Sequence, residues 1–206
     1  MQKHPNMKRI ISFVTCMVAL CGHWRAEGRE LRTYNTNDIL PKVTMSVKVG
    51  LQAQYLSGNT LWNKTYNTGP LAGLCFSVHR NMFGGRVEAN GRSIKYSHDT
   101  YGTEVNIVNL DIPVLFEFRP IKELAILVGG QGSLFPRVQD RSGKDVSRFF
   151  SSQEASFVIG AEGILPLRLI AGARFIKGIT DINDTSRPGT WTTTGAQFYV
   201  GYRFVD

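Results

Sequence analysis

Two histidines beyond the N-terminal segment are the residues best suited by type to acid–base chemistry. His98 stands between Ser97 and Asp99, which together match the residue types of a serine-hydrolase triad. Neighbouring side chains of an extended chain point in opposite directions, so this run is not expected to converge as a triad requires. His79 lies on another segment, and Cys75 is the one cysteine after residue 26, so no metal-ligand spacing is present. We predict no catalytic residue, no metal site and no cofactor.

The charged residues lie in segments where polar and apolar side chains alternate. Residues 43–55 alternate from end to end, and residues 108–118 repeat the same period of two. Successive side chains of a β-strand point to opposite faces, so each segment has one apolar face and one mainly polar face. The charged side chains must therefore be positioned by strands.

Eight such segments follow one another along the chain. The predicted strands are residues 42–55, 70–80, 85–94, 105–119, 124–135, 153–164, 167–180 and 191–204. A tight turn at residues 81–84 and a turn at 165–166 contain Asn, Gly or Pro, which are typical of turns. The alternation slips at Ile94 and Tyr96, which predicts a β-bulge there.

The connections between these strands are alternately long and short, which is typical of an outer-membrane barrel. We predict an all-β fold, an eight-stranded antiparallel up-and-down transmembrane β-barrel, because closure in lipid leaves no open strand edge. Both termini are expected on the periplasmic side, with the turns near Phe83, Ile121 and Pro166. The extracellular loops would then lie around Asn63, Thr100, Ser142 and Asp184.

A soluble closed barrel of the lipocalin type is the alternative fold. Its apolar face would point inward around a ligand. The charged opposite faces and the regular alternation of long and short connections favour the membrane barrel.

The polar faces would fill the barrel interior and supply charges of both signs. We predict an interior charge network of Lys48, Glu88, Arg92, Asp111, Glu117, Glu162, Arg174 and Arg203, with Arg86 and Arg168 on the same faces. An eight-stranded barrel is just wide enough for side chains to fill it, and buried charges must be paired. Ion pairs that lock the barrel are the favoured interpretation, and a proton or ion conduit is the alternative.

The N-terminal residues 1–26 resemble a secretory signal. Lys8 and Arg9 precede an apolar stretch that ends at Cys21. Cleavage could follow Cys21 or Ala26, and a lipoprotein cysteine at position 21 is disfavoured by the bulky Leu20. Residues 27–41 would form a periplasmic lead-in, and residues 42–204 the barrel.

The net charge gives little reason to expect nucleic-acid binding. The whole chain carries 24 basic and 16 acidic residues, a formal charge of +8. Removing residues 1–26 takes away Lys3, Lys8, Arg9 and Arg25 and no acidic residue, which leaves 20 − 16 = +4. We expect outer-membrane lipid as a partner and no nucleic acid.

Four segments of the chain resemble motifs of the PorT-like outer membrane β-barrel family. They are residues 109–118, with Leu-Asp-Ile-Pro-Val-Leu at their centre, 127–133, 174–182 and the closing residues 198–204. Residues 87–89 depart from the family pattern, in which Val-Glu-Leu precedes an aromatic residue. The resemblance covers about residues 42–204 and implies an eight-stranded barrel in a Gram-negative outer membrane.

The resemblance implies less about activity, since the namesake is associated with protein secretion through a multi-protein apparatus. We expect a non-enzymatic integral protein of the cell outer membrane, structural or binding, or an accessory subunit of an assembly such as a secretion apparatus. Other outer-membrane or periplasmic proteins are then further candidate partners. The alternatives are a small outer-membrane channel or transporter, and a lipid A-modifying enzyme with its site at the barrel rim.

Overall fold

The computed structural model describes residues 41–58, 67–98, 103–140, 142–144, 153–182 and 190–205, all within the compact unit Thr33–Asp206. The predicted signal segment, the lead-in up to residue 40 and the loop positions Asn63, Thr100 and Asp184 lie outside these residues. No helix in the described ranges is both long and apolar enough to cross a bilayer.

Eight antiparallel strands form one closed barrel, which confirms the predicted fold class. Each strand pairs with its neighbours in chain order, and β1 pairs with β8 to close the sheet. The strands are β1 Lys42–Gly58, β2 Asn67–Arg80, β3 Phe83–His98, β4 Thr103–Ile121, β5 Leu124–Asp140, β6 Gln153–Ile164, β7 Leu169–Gly178 and β8 Trp191–Val205.

Side-chain burial follows the period of two that the sequence shows. In β1, Val47 is 41% exposed, Lys48 is 1% exposed and Val49 is 59% exposed. The polar face therefore points into the lumen and the apolar face points outward. This arrangement is the reverse of the one expected for a lipocalin-type barrel.

Three short connections lie at the end of the barrel where β1 begins and β8 ends. Asn81 takes a positive φ of 53° in the predicted β2–β3 turn, and the β4–β5 turn lies between Ile121 and Leu124. The β6–β7 connection contains a 3₁₀ turn, Pro166–Arg168, in which Leu167 and Arg168 have φ of 60° and 64°. Strand β7 therefore begins at Leu169 and not at residue 167.

Several strands continue beyond their predicted ends. β1 reaches Gly58, β3 reaches His98 and β5 reaches Asp140, so parts of the predicted loops 56–69, 95–104 and 136–152 are strand. Backbone pairing needs no apolar side chain, and the ladders extend past the alternating segments, as in the pair Ser57↔Thr192.

The β-bulge predicted near Ile94 is wrong. The pairing of β3 with both neighbours keeps one register throughout, from Leu71↔Arg92 on one side to His98↔Thr103 on the other. Ile94 is 1% exposed and faces the lumen in phase with Arg92. An apolar residue occurs on the polar face because it joins a buried apolar cluster, consisting of Ile94, Ile107, Phe135, Val138, Ile182 and Trp191 and called the apolar cap below.

Candidate functional site: the ion-pair core

All eight residues of the predicted charge network are buried at lumen-facing positions. They are between 0% and 9% exposed: Lys48, Glu88, Arg92, Asp111, Glu117, Glu162, Arg174 and Arg203. The structure joins five of them into one network through Arg86, pairs Arg92 with Asp111 at 2.6 Å, and buries Arg203 near the end of β8. The network, called the ion-pair core, consists of Lys48, Arg86, Glu88, Glu117, Arg119, Glu162, Arg174 and Tyr199.

Glu88 on β3 accepts hydrogen bonds from two other strands. Lys48 Nζ donates to its Oε2 over 2.6 Å from β1. Arg174 donates from β7 through Nη1 and Nη2, over 2.6 and 2.5 Å, to both carboxylate oxygens. This two-pronged contact is the strong geometry for an arginine and a carboxylate, and it joins opposite walls of the barrel.

Arg86 on β3 contacts β6 across the lumen and also contacts the neighbouring strand β4. Its Nη1 and Nη2 donate to Glu162 on β6 over 2.7 and 3.0 Å, and its Nε donates to Glu117 on β4 over 2.9 Å. Glu117 also accepts from Arg119 Nε, and Arg119 Nη1 lies 3.3 Å from His79 Nε2. The series of hydrogen bonds thus continues toward the end of the lumen that carries the three short connections.

Tyr199 on β8 connects the two halves of the ion-pair core. Its hydroxyl accepts from Arg174 Nε and donates to Glu162 Oε2, both over 3.0 Å. Its ring centroid lies 4.6 Å from Lys48 Nζ, a cation–π distance. The ring passes over Gly172 on β7, where a Cβ atom would come within 2.4 Å of the tyrosine Cζ. A glycine at position 172 is therefore required for the tyrosine to lie against the wall.

The ion-pair core carries almost balanced charge. Lys48 and three arginines give +4 and three glutamates give −3, so the side chains sum to +1. Because each of these charges contacts an opposite charge, the desolvation cost of burial is offset by pairing and hydrogen bonding.

Two residues of the ion-pair core were not predicted from the sequence, and one predicted interior residue lies elsewhere. Tyr199 and Arg119 belong to the ion-pair core. Tyr199 lies between Phe198 and Val200, and Arg119 follows Phe118, so the alternation of side chains already indicated that both point inward. The prediction that Arg168 lies in the barrel interior is wrong, because this residue is exposed on the 3₁₀ turn before β7.

Of the two candidate histidines, the structure describes the side chain of His79. His79 contacts Arg119, and no serine or carboxylate bonds to it among the contacts of the described residues. The side chains of Ser97 and His98, and all of Asp99, lie outside the described residues. Within the part of the chain that the structure describes, no group of three or more His, Cys, Asp or Glu could hold a metal ion.

Apolar side chains cover the outside of the barrel on all eight strands. One residue from each strand, between 44% and 59% exposed, illustrates this apolar belt: Val49, Leu74, Phe83, Val114, Leu134, Ile159, Phe175 and Phe198. Soluble monomers rarely expose so continuous an apolar surface. The belt is the counterpart of the charged lumen.

Solved structures share this barrel fold with the chain. Neisserial surface protein A (NspA) is similar with a TM-score of 0.54 and 13% sequence identity, over 78% of this chain and 97% of NspA. Ail, the attachment invasion locus protein of Yersinia pestis, is similar with a TM-score of 0.52 and 11% identity, over 79% of this chain and 99% of Ail. That Ail structure contains the heparin analogue sucrose octasulfate. The likeness shows the fold.

No protein-family model matches the chain, and no curated protein matches it. The resemblance to the PorT-like family therefore stays an expectation based on the four sequence segments.

Proposed function

We propose that the chain is a non-enzymatic integral protein of the outer membrane whose barrel serves as a structural or binding unit. The observation that carries the proposal is the apolar belt around a lumen filled with paired charges. A closed barrel satisfies every backbone hydrogen bond between strands, and lipid is the solvent that suits its outer face. The similarity to NspA and Ail, which are eight-stranded outer-membrane barrels, supports this location.

The proposed orientation places both termini and the three short turns in the periplasm. It is supported by the general rule that such barrels have short periplasmic turns and longer extracellular loops. Single cysteines introduced at Ser142 and at Lys122 test this orientation. Cys75, which is itself only 5% exposed, is first replaced by serine so that it cannot react. A membrane-impermeant thiol reagent on whole cells should label Ser142→Cys alone, and labelling of Lys122→Cys alone would overturn the orientation.

A binding or structural role is favoured over a channel because the ion-pair core crosses the lumen. Its contacts join β1, β3, β4, β6, β7 and β8 at distances of 3.0 Å or less. The purified barrel in planar bilayers should show no steady pore current, and Glu162→Gln should lower thermal stability before it opens a path for ions. A large ohmic conductance from the wild-type protein would establish the channel alternative.

We further propose an accessory role in an outer-membrane assembly such as a secretion apparatus. Its support is the resemblance of four segments to the PorT-like family, which is an argument by analogy. Purification from native membranes in mild detergent should recover partner proteins in fixed ratio to the barrel. Recovery of the barrel alone, at the same yield and with intact folding, would contradict the accessory role and leave the membrane assignment unchanged.

A further inference from the structure

The 3₁₀ turn between β6 and β7 exposes three leucines at the end of the barrel that carries the short connections. Leu167 at the tip of the turn is 83% exposed, the highest value for a large apolar side chain among the described residues. Leu165 and Leu169, on either side of the tip, are 38% and 44% exposed. Such a group of apolar side chains marks a contact with a protein or a membrane.

Backbone hydrogen bonds hold this turn in one shape. Leu165 N donates to Leu169 O over 2.8 Å, and Leu169 N donates to Pro166 O. Leu167 and Arg168 both take a left-handed conformation, at φ of 60° and 64°, which residues other than glycine rarely adopt. Strained backbone of this kind is common where a ligand is contacted. The turn therefore displays a leucine and an arginine at positions where glycine would be less strained.

The apolar belt extends along the barrel wall as far as this turn. Ile170 is 2% exposed and faces the lumen, so the adjacent Leu169 lies on the outward face. Leu169 pairs with Tyr202 on β8, which is 45% exposed, and tyrosine is typical of the boundary between a membrane and water. The turn lies against β8, whose next outward residue, Phe204, is 42% exposed. In the proposed membrane location the turn thus lies where hydrocarbon gives way to head groups.

A cation lies at the same edge of the belt. Arg168 is exposed and stands between two of the exposed leucines. In the part of the chain that the structure describes, no carboxylate pairs with its guanidinium. The β4–β5 turn adjoins this turn, because Ile164 N donates to Glu123 O over 2.7 Å, and it adds Lys122. Arg168, Lys122 and Glu123 together sum to +1, which suits an anionic group.

We propose that the β6–β7 turn anchors the barrel in the leaflet at its short-connection end, with Leu167 in the head-group region and Arg168 on the phosphate of an anionic phospholipid. The inference rests on the proposed membrane location. A lipid is favoured over a free phosphate because a leucine adjoins the cation on each side. It is favoured over an acidic protein because the turn continues the apolar belt. A guanidinium can contact a phosphate through two N–H groups while its stem lies along apolar surface.

Electron paramagnetic resonance of a nitroxide label at position 167 tests whether the turn enters the bilayer. The label is attached to Leu167→Cys in a Cys75→Ser background, and the protein is placed in vesicles of phosphatidylglycerol and phosphatidylcholine. Oxygen, which concentrates in lipid, and a water-soluble nickel chelate both relax the label, and the ratio of their effects reports its depth. Labels at Val114 in the apolar belt and at Ser142 in an exposed connection give the two limits. We expect the ratio at position 167 to lie between them.

Native mass spectrometry tests the head-group contact. The protein, purified in mild detergent, is incubated with equal amounts of phosphatidylglycerol and phosphatidylcholine. We expect the wild type to retain phosphatidylglycerol preferentially and Arg168→Gln to reduce this preference about fivefold, the effect of one cation near a charged membrane surface. Lys144→Gln removes an exposed cation from the β5–β6 connection at the opposite end, and it is the control that should leave the preference unchanged.

Two results would overturn the inference. One is a label at position 167 that is as accessible to the nickel chelate as the label at Ser142. The other is an equal preference for phosphatidylglycerol in the wild type and in Arg168→Gln. The label at Val114 separates this failure from failure of the proposed function. If Val114 lies in lipid and position 167 in water, the anchor alone is refuted, whereas access of the chelate to both positions refutes the proposed function as well.

Discussion

The two faces of the barrel wall carry opposite kinds of side chain. On β4, Glu117 is fully buried in the lumen, whereas Val114 and Phe116 on the other face are 59% and 53% exposed. Hydrophobicity alone would predict the reverse. The comparison teaches that strand phase decides burial here, and that each face then acquires the environment that suits it: paired charges inside and, in the proposed function, lipid outside.

The inner face is not uniformly charged, which refines this comparison. Leu115, Leu127, Val158 and Ile176 form a buried apolar cluster on β4 to β7, and the apolar cap lies at the loop end of the lumen. The lumen is therefore filled in two ways, by directional ion pairs and by apolar packing. The two should respond differently to substitution.

Removing a charge from the inner face should have the largest effect. Arg86→Leu leaves Glu117 and Glu162 without their shared partner, and breaking a buried pair in this way costs about 3–5 kcal/mol. Urea unfolding of the barrel in lipid vesicles measures the free energy of unfolding. Arg80→Leu, at an exposed position at the end of β2, is the control and should change it little. Equal effects of the two substitutions would contradict a stabilising role for the ion-pair core.

Adding a charge to the outer face should have the next largest effect. Val114→Arg places a guanidinium in the apolar belt, with an expected loss of about 2–4 kcal/mol if the position lies near the bilayer midplane. The same vesicle unfolding measurement applies, with Ser142→Arg in an exposed connection as the control. If both positions tolerate arginine equally, the outer face does not contact lipid.

A change in the geometry of the core, with its charges kept, should have a smaller effect. Gly172→Ala pushes a methyl group within 2.5 Å of the Tyr199 hydroxyl, which displaces the hydrogen bonds to Glu162 and Arg174. We expect a loss of about 1–3 kcal/mol. Gly163→Ala, whose Cβ would meet its nearest atom at 3.7 Å, is the control.

A double-mutant cycle identifies the tyrosine as the cause of that loss. In a Tyr199→Ala background the clash is absent, so Gly172→Ala should then cost little. An undiminished cost in that background would show that the backbone at position 172, and not Tyr199, requires glycine.

The apolar part of the inner face should be the least sensitive to a conservative change. Ile94→Val removes one methylene from the apolar cap, and we expect a loss of about 0.5–1.5 kcal/mol in the free energy of unfolding. Ile159→Val on the outer face is the matched control and should cost less, since lipid can fill the space that the methylene leaves. A larger effect at position 159 would mean that the cap is loosely packed.

The amino-acid sequence by itself determined the architecture and the face of nearly every strand residue. Alternation is local, because each side chain of a strand points away from the preceding one whatever its partners are. The number of strands, their order and the inward placement of Lys48, Glu88 and Glu162 all follow from that period. The prediction from alternation failed at two positions where the local pattern is not enough. The burial of Ile94 depends on the apolar cap, and at Arg168 a proline-containing turn replaces the start of a strand.

Only the tertiary structure decided which charges meet. Arg86 and Glu162 are 76 residues apart, and Glu88 and Arg174 are 86 apart. Their pairing depends on the register in which eight strands close and on which side chains face each other across the lumen. Alternation shows that a residue points inward but carries no information about its height in the barrel or about the opposite wall. For that reason the role of Tyr199, lying over Gly172 between two halves of the ion-pair core, became visible only in three dimensions.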